Sequence, residues 1–474
     1  MAQRSRTLVR VALAMTAALL AGQATATGST TATPTYGEGS SGVGDPYFPL
    51  AGNGGIDVTH YHLSLHYTPP DPDPAPLAGT LRGKARIKLQ TTQNLSRFNL
   101  DLRGLTASRV LVNGRLATYS QVDNELVITP RFPLRARTRA RVVIWYAGTT
   151  TRPTDIEGAL YGWVTMRDGA MVANEPDGAA TWFPVNDHPT DKATYDFDIT
   201  VPDGLVAVAN GNLVGSLTRK GWTTWRWHAP DLMAAYLATA SVGNYELRRY
   251  RTPSRLPIID AVDRDLADTA DDGLAQQGEM IGYFSSLFGR YPFSSFGSIV
   301  DDDTLGYALE TQTRPIYSRR ATEGTVSHEL AHQWFGDAVS PRLWKDIWLN
   351  EGWATYLAWL WTEHDGGDTV ASQFDDVMAL PEDDEFWNLT VADPGPLGLF
   401  ASPVYDRGAA TLHALRVKIG DDAFFALGRR WVSKYNDSSA STENFEVLAE
   451  RISGLDLDQF FNVWLHSTGK PTTW

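Results

Sequence analysis

His328 and His332 stand four residues apart with Glu329 beside the first, and Glu351 follows nineteen residues after the second. On a helix, positions i and i+4 lie one above the other on the same face, so both imidazoles can reach one metal ion. The spacing predicts a helix at 328–332, and an acid at 351 predicts a chain that turns back on itself. Gly336 closes the first helix, and 337–343, with Pro341 inside, does not propagate it. A second helix restarting at 344–347 puts Glu351 in its first turns, and an antiparallel return carries it to the histidines. Two His and one Glu with a fourth position open is the ligand count of a catalytic zinc site rather than a closed structural one. Glu329 is then placed to act as general base toward a water activated by the metal. The alternative is a set of ordinary polar residues on an amphipathic helix. A correctly spaced acid inside WLNEG argues against it.

HELAHQWFGD followed by WLNEGWATY resembles the M1 family of zinc aminopeptidases, gluzincins that include leukotriene A4 hydrolase. The resemblance implies one zinc ion per chain on His328, His332 and Glu351.

The chain begins as an exported protein would. Arg4, Arg6 and Arg10 form a basic region, 11–21 is apolar, and Ala24-Thr25-Ala26 supplies small residues for cleavage. A signal peptide at 1–26 is expected, and with it a secreted product. The apolar run is too short for a stable membrane anchor. Zero cysteines exclude a lipidated cysteine, disulfides, thiolate zinc ligands and cysteine nucleophiles together. The formal charge of −14 becomes more negative once the leader arginines leave, which argues against nucleic acid as a partner. A monomer without a membrane anchor is expected.

Residues 27–45, rich in Thr, Ser and Gly, read as a flexible leader. From 46 to 247 the pattern alternates. Short strands are predicted at 60–67, 83–90, 97–102, 109–112, 125–128 and 141–146, with Asn113-Gly114 and a proline cluster at 69–76 as turn signals. His60, His62 and His66 share one face of the first strand. A half-exposed strand face explains them better than a second metal site. From 248 to 474 helical periodicity takes over, at 274–288, 421–435, 443–453 and 457–465. The expected fold class is α+β: an N-terminal all-β domain of antiparallel sheet or sandwich, then a thermolysin-like, mainly α catalytic domain.

Three further residues take roles from the resemblance. The stretch 173–195 is similar to the family's Q-x-E, A-R, F-P-C-x-D-E-P-x-x-K-A-x-F segment, with Phe183, Pro184, Asp187, Pro189, Lys192 and Ala193 matching. Glu175 falls on the position that helps bind the substrate's free α-amino group. On the residues alone it is a polar loop residue before a proline. The stretch 306–311 stands where the family carries G-A/G-M-E-N, an edge strand along which substrate lies. Glu310 matches the Glu, a second ligand of the amine, while Tyr307, Leu309 and Thr311 depart from the pattern. A Gly there permits close backbone approach, and a Tyr does not. Otherwise Glu310 is a solvated edge charge. Tyr405, in V-Y-D-R-G, resembles the Tyr of Y-x-K-G, with Arg407 for Lys. The implied role is donation to the oxyanion of the tetrahedral intermediate; otherwise it is a packed tyrosine. His413 reads as structural, and Trp334, Trp344, Trp348, Trp353 and Trp361 as core packing. Asp337 and Asp346 are candidates for orienting the imidazoles or for stabilising the second helix's N-terminus.

The resemblance runs from 46 to 471, so the large C-terminal helical domain of many members is expected to be missing and the site more open to long peptides. The expected activity is hydrolysis of N-terminal residues from peptides with a free N-terminus. A charge-assisted bond from ammonium to Glu175 and Glu310 would distinguish a chain's end from its interior. The rivals are a zinc endopeptidase using the same site, an epoxide hydrolase side activity, and an inactive secreted binding module on this scaffold.

Overall fold

Alternation of apolar and polar side chains builds the N-terminal half. In Ile56–Thr68, Gly79–Thr91 and Lys192–Pro202 nearly every second side chain is buried, the signature of strands with one face on a core. These three lie side by side within an eight-stranded sheet completed by Trp222–Ala234 and Asn212–Arg219 at one end and Arg139–Thr150, Thr106–Val112 and Arg115–Leu116 at the other. Ile56–Thr68 runs parallel to Lys192–Pro202, so the sheet is mixed. Each strand predicted from alternation is present and longer than predicted, though the one predicted at 97–102 runs Leu95–Asp101 and ends a residue short of 102.

The structure is a computed structural model that describes residues 34–70, 77–267, 271–303 and 305–473, with the side chains of 271 and 272 left aside. The signal peptide expected at 1–26 lies outside the described residues. The chain divides into Met1–Thr35 and Tyr36–Trp474, and all assigned secondary structure belongs to the second unit.

The leader is not flexible up to 45. Gly37–Glu38 pairs in parallel with the strand Leu95–Asp101. Asp45 is 1% exposed; its carboxylate accepts from Trp344 N at 2.8 Å and faces His188 Nε2 at 3.5 Å. Low-complexity composition hid these contacts, because backbone pairing and one buried acid need no apolar periodicity.

A four-stranded sheet of Tyr245–Arg251, Pro257–Asp263, Ile299–Asp301 and Ile316–Ser318 leads into the helical half, and Tyr245–Arg251 is one continuous strand across positions 247 and 248. The helix predicted at 274–288 is divided into Asp271–Leu274 and Gln277–Phe288. The C-terminal helices run Asp421–Tyr435, Thr442–Ser453 and Asp458–Phe461, the last continuing as a π-turn over Asn462–His466. The five tryptophans around the histidine motif are each at most 1% exposed, and Trp353 stacks on Phe335 with ring centres 4.3 Å apart. They are core, as expected. Among the described residues no helix is long and apolar enough to cross a membrane.

Candidate metal and active site

His328 occupies the last turn of Glu323–Ala331, a helix whose N-terminus is capped by Thr322 Oγ1 accepting from Thr325 N. The helix stops at Ala331 rather than reaching Gly336. His332 follows as its C-cap with φ −56° and ψ −26°, still helical, so the i, i+4 relationship holds. The chain then tightens until the Phe335 carbonyl stands 3.1 Å from His332 Nδ1, which directs Nε2 toward His328. Gly336 has φ +133°, and a Cβ there would stand 3.2 Å from that Nδ1 and 3.3 Å from Asn350 Nδ2. A residue without a side chain is therefore required.

Glu351 lies in the first turn of Trp348–His364, entered through a 3₁₀ turn at Trp344–Asp346. His328 Nε2 and His332 Nε2 are 3.1 Å apart, and Glu351 Oε2 is 3.2 Å from the first and 3.4 Å from the second. A tetrahedral zinc with bonds of ~2.0–2.1 Å has ligand–ligand edges of roughly 3.3 Å, so the three atoms stand where such an ion needs them. Burial pushes the Glu351 carboxyl up, but the two imidazoles outweigh it and bring it to about 2, keeping it anionic.

Asp337 and Asp346 do not touch the imidazoles. Asp346 accepts from Thr442 N at 3.0 Å, Thr442 Oγ1 at 2.8 Å and Leu343 N at 3.3 Å, which fixes the turn before the glutamate helix. The Asp337 carboxylate is buried without a hydrogen bond, and Lys192 Nζ donates instead to the backbone carbonyls of Asp337 and Ala338. Of the two roles open to these acids, Asp346 takes the second, at the start of the glutamate helix, and the backbone carbonyl of Phe335 orients His332. The glycine at 336 was the available signal.

The remaining site residues line one cavity of about 400 Å³ with the histidines: Glu329, Glu175, Glu310 and Tyr405. Carboxylate oxygens of Glu310 and Glu329 and a ring nitrogen of His332 lie within 4.8 Å of one another, as do oxygens of Glu175, Glu310 and Glu351. The Oε1 atoms of Glu175 and Glu310 are buried without partners. Burial, then the neighbouring acids, drives Glu175 well up; burial raises Glu310 to about 7 against the pull of His332; and burial raises Glu329. So many crowded carboxyls favour a cation among them. The Tyr405 ring lies over His328 with centres 5.9 Å apart, and burial holds its phenol protonated, able to donate.

Distant contacts hold these groups in place. Gln333, beside His332, donates from Nε2 to Glu310 O at 3.1 Å and accepts from Thr313 N at 2.8 Å, tying the Glu310 segment to the histidine turn. That segment pairs as a strand only at Leu309, which bridges Ile316; beyond it, backbone bonds from Arg314 N to Thr311 O and from Gln312 N to Leu237 O act together with such side-chain bonds. Tyr405 lies near the start of Ser402–Ile419, where buried Arg407 donates to five carbonyls, those of Trp387, Leu389, Val463, Trp464 and Ser467. His60 and His62 pair with Thr194, Asp196 and Asp198 of the adjacent strand, and His66 packs on Trp222, so the strand-face reading stands.

Two imidazoles and a carboxylate converging on one point, with a further carboxyl alongside, define a metallohydrolase site of the HExxH type. Residues 58–237 match the Peptidase M1 N-terminal domain, and 299–464 match the Peptidase family M1 domain. An M1 zinc metallopeptidase from Deinococcus radiodurans is similar in structure, with TM-score 0.83 and 30% identity over 91% of this chain and 98% of that one. A two-domain M1 zinc metallopeptidase solved with L-arginine is similar to the same degree: 0.83, 30%, 91% and 98%. Human glutamyl aminopeptidase is 26% identical over 325 residues, 63% of this chain and 34% of that protein, so the chain spans about a third of that relative's length. The chain belongs to peptidase family M1. The donor set and its spacing fit the single zinc ion of that family's peptidases.

Proposed function

We propose that the protein is a secreted zinc aminopeptidase that removes residues from the free N-terminus of peptides. The observation that carries this reading is the placement of the Glu175, Glu310 and Glu351 carboxylates within 4.8 Å of one another, with two of their oxygens unpartnered. Two acids beside a metal ligand suit a substrate ammonium one residue from the scissile carbonyl. An endopeptidase has no use for them.

His328, His332 and Glu351 would hold the zinc ion, which would supply Lewis acidity toward the carbonyl and the attacking water. Glu329 accepts a proton from the attacking water and passes it to the amide nitrogen as the carbon–nitrogen bond breaks. Burial, which raises its affinity for that proton, suits the transfer. The Tyr405 hydroxyl donates to the oxygen that gains negative charge. Glu175 and Glu310 accept hydrogen bonds from the ammonium and set the register of cleavage.

The test is a panel of aminoacyl fluorogenic substrates, free and N-acetylated, with and without chelator. Free substrates should be cut, blocked ones should not, and chelator should stop the reaction. Equal rates on blocked and free substrates would make the protein an endopeptidase. Export belongs to the same proposal: N-terminal sequencing of protein recovered from medium should begin at Thr27.

A further inference from the structure

Beyond Glu175 and Glu310 the cavity continues to a wall that the chemistry above does not use. Tyr307 forms part of it, its hydroxyl donating to Leu160 O at 2.5 Å and so tying it to the loop 155–160, whose Asp155, Glu157 and Ala159 also line the cavity. Asp155 shapes that loop by accepting from Glu157 N and Ala159 N, both at 2.9 Å. Asp155 and Glu157 line the cavity, and Tyr307 and Phe400 give it aromatic surface. No lysine or arginine is among the residues that line it. The Glu157 carboxylate has no hydrogen bond or ion pair among the described residues. Burial, then the charges of Glu175, Asp155 and Glu310, pushes the Tyr307 phenol up, and all four residues line the one cavity.

Resting on the aminopeptidase reading, we infer that this wall receives the side chain of the substrate's first residue and that Asp155 and Glu157 select arginine or lysine there. The ammonium and the side-chain cation would then occupy opposite ends of one pocket. At the inner end, unpartnered Oε1 atoms of two residues more than nine-tenths buried, Glu175 and Glu310, already point to a cationic occupant. A long aliphatic stem lies against Tyr307 and Phe400 while its charged head reaches the acids at the mouth. A glutamate or aspartate in the same place meets only like charge. Tyr307, the residue that departs most from the family strand, thereby gains a role: it holds the acidic loop against the pocket.

The experiment compares kcat/KM of the zinc-loaded protein on arginyl, citrullyl, leucyl and glutamyl aminomethylcoumarins. Citrulline has the shape of arginine without its charge, so the arginine-to-citrulline ratio isolates the acids. That ratio should be about tenfold or more, and glutamate should be the poorest substrate. In Asp155→Asn/Glu157→Gln it should fall to about two. Because Asp155 also shapes the loop, Glu157→Gln is measured alone as well and should lower the ratio by about threefold. A wild-type ratio near one, or a ratio unmoved by Glu157→Gln while the leucyl substrate is cut, overturns the inference and leaves the aminopeptidase reading standing. Failure to cut any of the four substrates overturns both.

Discussion

Gly352 and Gly408 meet where two helices cross with no side chain between them: a Cβ on Gly408 would stand 2.9 Å from Gly352 Cα. Gly352 follows Glu351, and Gly408 lies one turn beyond Tyr405 on Ser402–Ile419. The contact therefore sets how near the phenol comes to the metal ligands. Gly408→Ala should force the helices apart, costing about 1–3 kcal/mol in a thermal melt. It should also lower kcat by about tenfold or more as Tyr405 moves off its target. A stable variant with wild-type kcat would mean that the two helices part without displacing Tyr405.

Glu329 is near the trio yet outside it, so its removal separates proton transfer from metal binding. Glu329→Gln keeps the side chain's shape and should lower kcat by about 10²–10⁴-fold. Metal analysis by mass spectrometry should still find one zinc per chain. Loss of the metal would move Glu329 into the ligand set, as its place in the Glu310, Glu329 and His332 group allows. Unchanged activity would mean that another group accepts the proton of the attacking water.

Metal removal has a readout apart from catalysis. The three ligand atoms converge in the folded protein alone, so zinc bound there stabilises the native state by mass action. Dialysis against a chelator should lower Tm by several degrees, and adding zinc should restore it. In His332→Ala, which removes a 1% exposed imidazole of the trio, zinc should no longer move Tm. A zinc-dependent shift that persists in this variant would put the stabilising ion elsewhere.

Much of this site was legible in the chain because its spacing is dictated by helix geometry. Two histidines on one helical face and an acid after a turn leave few three-dimensional solutions, and in the structure the three side-chain atoms stand 3.1–3.4 Å from one another. Strands at Ile56–Thr68 and Gly79–Thr91 were legible for a similar reason: one buried face imposes a period of two. What was hidden depends on groups that carry no pattern. The Phe335 carbonyl that orients His332 is backbone and is the same for any side chain. Gln333 and Arg407 act on carbonyls 18 or more residues away, and nothing local marks them. Asp45, in a stretch of turn residues, gives no periodic hint that it caps a turn 299 residues later. Asp337 shows the opposite failure, a residue whose type suggested a role that its position denies.

Asp191 carries a prediction that involves no substrate. It is 8% exposed, and its Oδ2 accepts from Val58 N at 3.0 Å and Asn186 Nδ2 at 2.5 Å, while Oδ1 is buried without a partner. Burial raises its carboxyl from 3.8 to about 7, against the lowering effect of those two donors. Because the folded protein holds the proton more tightly than the unfolded chain, this group's stabilising contribution is fully present below pH 3.8. It is lost as pH rises through about 7, where folding must carry a buried charge. Asp191→Asn keeps an oxygen for Val58 N and removes that charge. Its Tm should exceed that of the wild type by about 2 °C or more at pH 8, with the gap closing toward pH 5. Melting curves of both proteins across this range provide the check. A gap independent of pH would show that Asp191 is ionised in the folded protein throughout, with its charge held by the neighbours that the geometry leaves silent.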